Sequence, residues 1–250
     1  MGKAPQSSSM DRGTSALKSH VQNCEQMEIR QTRRGFCQEI MGCDAKTEFK
    51  YFIGGNQIGT SLEDTDCFCR MFCNAIHPFK MVVKELNTDA EMVSVDRPLA
   101  CVASGCKCCC YQEAAFTSGG EDIGSIKEEC YYCVPRFTIF DPENKPMYKL
   151  HSPTCCGGMC VNCCAEGNPC GKGCCKVSFR IYDPDLKDTE GDAPYLGQIL
   201  KKPKSAMVEI FTDAQTFIVD FPKDASPAQK GALIGTSIFL NAIFFEGEQD

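Results

Sequence analysis

The stretch "SPAQKGALIGTSIFLNAIFFEGEQD", residues 226–250, decides how the chain is read. Ser226 is a good N-cap, Pro227 suits the first helical position, where its missing N–H is not needed, and Gln229 completes an S-x-x-Q capping box. A helix is therefore predicted over 227–245. Its apolar part, Gly231 to Phe245, rises roughly 22 Å at about 1.5 Å per residue, against a hydrocarbon core of about 30 Å. Thr236, Ser237 and Asn241 lie within it, yet it is apolar around most of its circumference, the pattern of a helix enclosed by protein rather than of a membrane span. Gly231 and Gly235 form a G-x-x-x-G, which in so short a run points to close backbone packing.

An enclosed helix needs a wall, and the preceding residues read as strands. In "VSFRIYD" (177–183), Val177, Phe179 and Ile181 face one way while Ser178, Arg180 and Tyr182 face the other, as a half-buried antiparallel strand requires. "EFKYFI" (48–53), "FKMVVKEL" (79–86), "EMVSVD" (91–96), "RFTIFD" (136–141), "MYKLHS" (147–152), "MVEIF" (207–211) and "TFIVDF" (216–221) repeat the pattern. About a dozen such segments at this spacing suit a barrel or a sandwich. Residues 1–23, rich in Ser, Gly and Gln, read as a mobile arm, 24–246 as one barrel domain that includes the helix, and 247–250 as an acidic tail. "MGKAPQS" approaches an N-myristoylation signal, but Gln6 stands where Ser or Thr is wanted.

The 250 residues are 43% hydrophobic and 24% charged, enough for a sizeable core. Twenty-one cysteines would mark a disulfide scaffold in a short secreted chain. Against that, the N-terminus has no apolar h-region, the count is odd, and Cys108, Cys109 and Cys110 are poor partners for one another. The expectation is a reducing, cytosolic location with free, modified or metal-bound thiols. A net charge of −7 argues against nucleic acid as the main partner and gives no general attraction to an anionic membrane. There is no G-x-S-x-G, and "GNPCGKG" (167–173) has the wrong spacing for a P-loop, so covalent catalysis is not expected.

Several strings taken together carry a resemblance: "EDTDC" (63–67), "RPLAC" (97–101), the cysteine cluster followed by "QE" (112–113), "FTIFD" (137–141), "FTDAQTFIVDFP" (211–222) and "KGALIGTSIFLNAIFFE" (230–246). Over roughly residues 25–246 the chain resembles the phospholipid scramblase family. The resemblance implies a mainly β fold like the Tubby C-terminal domain, a closed antiparallel barrel of about twelve strands around a central hydrophobic C-terminal helix. It implies a membrane-associated protein that moves phospholipids in both directions between leaflets under calcium control and without covalent chemistry. Membrane phospholipids and further copies of the chain are its implied partners. The implied location is the cytoplasmic face of the plasma membrane, with a cytosolic or nuclear pool. Family accounts also describe the C-terminal helix as a single membrane span, which the residues here oppose. The Pro-rich N-terminal arm of longer members is missing, so its SH3- or WW-type interactions are not carried over.

By the same resemblance, Cys106, Cys108, Cys109 and Cys110 correspond to a palmitoylation segment, and two or more acyl chains make a stable anchor where one is marginal. Asp213, Gln215, Asp220 and Asp224 lie in "DAQTFIVDFPKD" (213–224), which matches the family's calcium segment. An EF-hand loop wants oxygen ligands at positions 1, 3, 5 and 12 and Gly at 6. Here Phe217 and Ile218 occupy the fifth and sixth places, and the alternation of Phe217, Val219 and Phe221 makes a strand the first reading and weak calcium binding the second. Lys201, Lys202 and Lys204 in "LKKPKS" (200–205) stand where some members carry a nuclear import signal, and by themselves read as a solvated turn.

Read from spacing alone, Cys130 and Cys133 with Cys160 and Cys163 form two C-x-x-C pairs that could hold zinc. The 26 residues between the pairs exceed the usual zinc-ribbon spacing of about 15–20. The insertion "CVNCCAEGNPCGKGCC" (160–175) is not accounted for by the resemblance. The alternative function is a zinc-stabilised, cysteine-rich adaptor or a signalling or transcriptional regulator with no lipid transport of its own.

Overall fold

The computed structural model describes residues 13–33, 47–64, 78–99, 106–107, 109–132, 134–153, 177–187, 189, 193–202 and 216–244. Twelve strands form the barrel: β1 (Gln26–Arg33), β2 (Thr47–Ile53), β3 (Asn56–Asp64), β4 (Phe79–Glu85), β5 (Glu91–Arg97), β7 (Glu113–Ser118), β8 (Glu121–Glu128), β10 (Arg136–Phe140), β11 (Pro146–His151), β12 (Val177–Tyr182), β13 (Gly197–Lys201) and β14 (Thr216–Asp220). Two short strands, β6 (Cys106–Lys107) and β9 (Tyr131–Tyr132), pair with each other apart from it. Each barrel strand pairs antiparallel with the next, and β14 returns to β1 with Met27 opposite Val219 and Ile29 opposite Phe217. Closure satisfies both edges of what would otherwise be an open sheet.

The alternation expected of β12 holds through Ile181, with Val177, Phe179 and Ile181 buried and Ser178 and Arg180 half-exposed, but Tyr182, expected on the outward side, is fully buried with its ring stacked on His151. What the inward side chains cover is α2 (Pro227–Phe244), in which Ala228 and every residue from Lys230 to Phe244 is buried. Its start is the capping box expected from sequence, with the Ser226 N–H donating to Gln229 Oε1 at 2.8 Å and the Gln229 N–H to Ser226 Oγ at 3.3 Å. The two glycines bring the helix against the wall: a Cβ on Gly235 would stand 2.6 Å from the Phe116 ring, and one on Gly231 2.9 Å from both Ile123 and Leu17. Within the helix, the Thr236 and Ser237 hydroxyls donate to the carbonyls of Ala232 and Ile234 at 2.8 and 2.7 Å, so they enter the core with partners. Among the described residues no helix is long and apolar enough to cross a membrane.

The N-terminal region differs from the mobile arm expected through residue 23. Residues 15–21 form a helix, α1 (Ser15–Val21), with Ala16, Leu17 and Val21 buried. Thr14 caps it and ties it down: its Oγ accepts from the Leu17 N–H and donates to Glu91 O at 2.9 Å, and its own N–H donates to Ser118 Oγ at 3.0 Å. A seven-residue helix is too short to be stable alone, so packing against the barrel is what forms it. Residues 1–12, and the candidate strand at 207–211, lie outside the described residues.

Candidate functional site

An up-and-down barrel sends alternate connections to opposite ends, and that parity sorts the cysteines. The connections 34–46, 65–78, 98–112, 129–135, 152–176 and 202–215 all leave from and return to one end. Twenty of the twenty-one cysteines belong to them. The exception, Cys24, sits at the other end beside α1, buried, with its Sγ donating to Gln26 O at 3.0 Å; burial raises its pKa. The helix α2 enters at that other end and points its C-terminus at the cysteine end, where Phe244 packs edge-on against Phe137 near the start of β10.

At the cysteine end, the pairing of Cys106 with Tyr132 and of Lys107 with Tyr131 joins the 106–110 segment to the 130–133 segment. Cys106 of the group assigned to acylation and Cys130 of the group assigned to zinc thus lie on the two paired segments of one small flap. Cys109, Cys110 and Cys130 are exposed, and Tyr131 is buried beneath. Cys110 holds a left-handed backbone, φ 53°, at the corner where the chain turns towards β7.

A buried polar brace fixes that corner. Arg97, at the end of β5 and fully buried, donates through Nε and Nη2 to Gln112 Oε1 at 3.2 and 2.9 Å. The Gln112 N–H donates to Glu128 Oε2 at 2.8 Å, and the Glu128 N–H returns to Gln112 O at 2.8 Å. The Arg97 guanidinium also lies 5.8 Å from the centre of the Phe79 ring. A charged group this deep is stable only when its donors are taken up, and here Nε and Nη2 are taken up by the residue two places after Cys110.

The candidate calcium segment is built as a strand followed by a turn. Phe217, Val219 and Phe221 point into the core. Asp220 faces outward between β1 and β13, and its two carboxylate oxygens accept from Gln26 Nε2 at 2.6 Å and Gln198 Nε2 at 2.8 Å. Asp224 lies in the turn before α2, where, with Asp183, its charge adds to burial in pushing the Tyr148 hydroxyl up to about 12. Asp213 and Gln215 lie outside the described residues, as do Cys108, Cys133, Cys160, Cys163 and Lys204. Among the described residues no three His, Cys, Asp or Glu gather as a metal-holding group.

Of the lysine run expected as a solvated turn, Lys201 departs from that reading. Lys201 is the last residue of β13 and continues the inward face of Gly197 and Ile199, with only 2% of its surface exposed. Lys202 turns outward, 3.9 Å from Glu28 Oε1.

A family model described as Scramblase matches residues 46–247. The chain belongs to the scramblase family. It is 28% identical to phospholipid scramblase 1 of Homo sapiens over 225 residues, which are 89% of this chain and 61% of that protein. Phospholipid scramblase 2 of Bos taurus is 28% identical over 80% of this chain and 62% of its own length. Phospholipid scramblase family member 5 of Homo sapiens is 26% identical over 83% of this chain and 71% of its own. The chain thus spans about three-fifths of the length of the first two. No solved structure matches it.

Two of the strings that carried the scramblase resemblance now have a physical meaning. "RPLAC" begins with Arg97 and "QE" with Gln112, the two halves of the brace. Sequence reasoning did not pair them. The available signal was a lone arginine closing an apolar alternation, Val93, Val95, Arg97, which puts its side chain on the inward face.

Proposed function

We propose that the chain is a membrane-associated lipid-translocating protein that moves phospholipids between the leaflets of a bilayer without covalent chemistry. The observation that carries this reading is the family match across residues 46–247. In this reading the protein is held at the membrane by thioester-linked acyl chains on the 106–110 cluster. Exposed thiols gathered at one end suit that chemistry, because several chains anchored together bind stably where one does not.

Lipid movement runs in both directions and is triggered by calcium only weakly. Both carboxylate oxygens of Asp220 already accept amide hydrogens, so an ion must displace these to bind there. Scrambling also needs a polar route for headgroups through hydrocarbon. With α2 enclosed by its own barrel, the route runs along the outside of the cysteine end or between copies of the chain. The test is reconstitution of purified, acylated protein into vesicles carrying a fluorescent phospholipid in both leaflets, read by dithionite quenching with and without calcium. Loss of more than the outer-leaflet signal is expected, with a small calcium effect; an unchanged inner-leaflet signal in both conditions overturns the reading.

A further inference from the structure

The two ends of the barrel differ in charge as well as in cysteine content. Among the described residues of the connections at the cysteine end, Lys107 and Lys202 are basic and Glu129 is acidic. Among those at the other end, in 13–25, 54–55, 86–90, 119–120, 141–145, 183–196 and 221–226, Lys18, Lys145, Lys187 and Lys223 are basic against the acidic Glu25, Asp89, Asp141, Glu143, Asp183, Asp185 and Asp224.

Exposed apolar side chains stand at both ends. At the cysteine end Leu99 is 61% exposed and Tyr111 41% exposed. Leu99 lies two residues beyond the end of β5, and Tyr111 follows the exposed Cys109 and Cys110 two residues before β7. At the other end Leu86, Tyr195 and Leu196 are exposed, but Leu86 is followed by Asp89, and Tyr195 and Leu196 close the acidic connection. The Tyr195 ring is also covered by the Arg180 guanidinium, 4.8 Å from its centre. Apolar exposure alone therefore does not choose an end, and charge does. A bilayer with anionic lipid repels the acidic end within a Debye length and leaves the nearly balanced end able to approach. Tyr is also suited to the interface, with an apolar ring and a polar tip.

We propose that the barrel docks end-on to a lipid bilayer, with Leu99, Tyr111, Cys109 and Cys110 entering the interfacial layer and the acidic end pointing away from it. This rests on the membrane reading above and adds which surface meets the lipid. The barrel axis then stands across the membrane plane, and the C-terminus of α2 is directed at the bilayer.

The chain contains no tryptophan, so a single introduced indole reports its own position. Leu99→Trp and Tyr111→Trp label the docking end, and Leu86→Trp and Tyr195→Trp the other. Each full-length acylated variant is bound to vesicles of phosphatidylcholine and phosphatidylserine, with and without brominated acyl chains. The expected result is a blue shift and several-fold stronger bromine quenching at 99 and 111 than at 86 and 195. Equal quenching at the two ends, or stronger quenching at 86 and 195, overturns the orientation while leaving membrane association in place. Failure of wild type and all variants to sediment with vesicles overturns the orientation together with the membrane reading on which it rests. Leu99 and Tyr111 are exposed, so the substitutions leave the core untouched, and a thermal melt matching wild type confirms that each variant is folded.

Discussion

At one end of the barrel, α1 covers the mouth and the Lys230 ammonium ties it to the start of α2; at the other, the strands run out into the cysteine-bearing connections and leave Cys109, Cys110 and Cys130 exposed. The closed end is made of contacts between segments distant in sequence. Lys230 Nζ donates to the carbonyls of Val21, Gln22 and Cys24 at 2.9, 3.1 and 2.8 Å, so a single buried cation collects acceptors from the end of α1 and the residues after it. That placement also suits the negative end of the α1 dipole. Around it, Thr14, Ser118 and the carbonyls of Glu91 and Met92 form one hydrogen-bonded patch. Each end thus has its own buried cation, Lys230 at the end that carries one cysteine and Arg97 at the other, but among the described residues the exposed thiols stand beside Arg97 and Gln112 alone.

The largest effect expected is in the core that both ends share. Phe239 is fully buried and meets Phe137 edge-on with ring centres 5.8 Å apart. Phe239→Ala should cost about 3–5 kcal/mol, measured by denaturant unfolding, because the enclosed site cannot collapse around the void. A loss much below this would mean that α2 can shift within the barrel, which the contacts at Gly231 and Gly235 oppose.

Next comes the closed end itself. Lys230→Ala removes the donor for three carbonyls, of which those of Val21 and Cys24 are buried, and each buried acceptor left unmade costs on the order of 1–3 kcal/mol, so a loss of about 3 kcal/mol is expected. Hydrogen exchange should accelerate over 15–21 and stay slow in β10 and β11. Uniform acceleration would show that the closed end is not a separate unit of stability.

How much of this was legible in the sequence follows from where the information lies. The helix α2 and its capping box were readable because Ser226, Pro227 and Gln229 act locally. Strands such as β12 were readable because their inward positions are all apolar. β1, β3, β7, β8 and β13 were not, because the wall opposite an enclosed helix uses small or polar residues: Gln31 in β1, Gly59 and Ser61 in β3, Ala114 in β7, Glu128 in β8, Gly197 and Lys201 in β13. Gly197 is needed because a Cβ there would stand 2.3 Å from Asp220 O. Those omissions hid the site as well. Whether two connections share an end depends on an even number of strands between them, and missing strands destroy that parity. The α1 helix left no local signal because tertiary packing forms it.

A smaller effect is expected from acid. His20 Nε2 and Glu85 Oε1 lie 2.6 Å apart, joining α1 to the end of β4. Hydrogen bonds from Thr88 and His20 hold the Glu85 carboxyl below its ordinary value. A carboxylate whose folded pKa is depressed contributes stability that is present above its unfolded pKa and is lost as the pH falls through the folded one. The hold on α1 should therefore be full at neutral pH and weaken on acidification below the usual carboxylate range. Amide exchange over 15–21, followed against pH, should speed up there, and Glu85→Gln should remove that pH dependence.

The smallest effect on stability is expected at the cysteine end, and it comes with the clearest chemical contrast between the ends. Cys109 and Cys110 are exposed, so replacing both with Ser removes little packing, and the left-handed backbone at 110 is no harder for Ser than for Cys. The change in unfolding free energy should stay within about 0.5 kcal/mol. Reactivity should separate the ends at once, because the thiolate is the species that attacks. Cys24 is buried and its pKa is raised by that burial, so in the folded protein, after hydroxylamine has cleared any thioester, it should resist a maleimide that labels Cys109 and Cys110 within minutes. Mass spectrometry of peptides from the labelled protein reads all three. Labelling of Cys24 at the rate of Cys109 would show that α1 opens readily and that the closed end is not closed; protection of Cys109 and Cys110 would show that the flap hides its thiols and would remove the basis for acylation there.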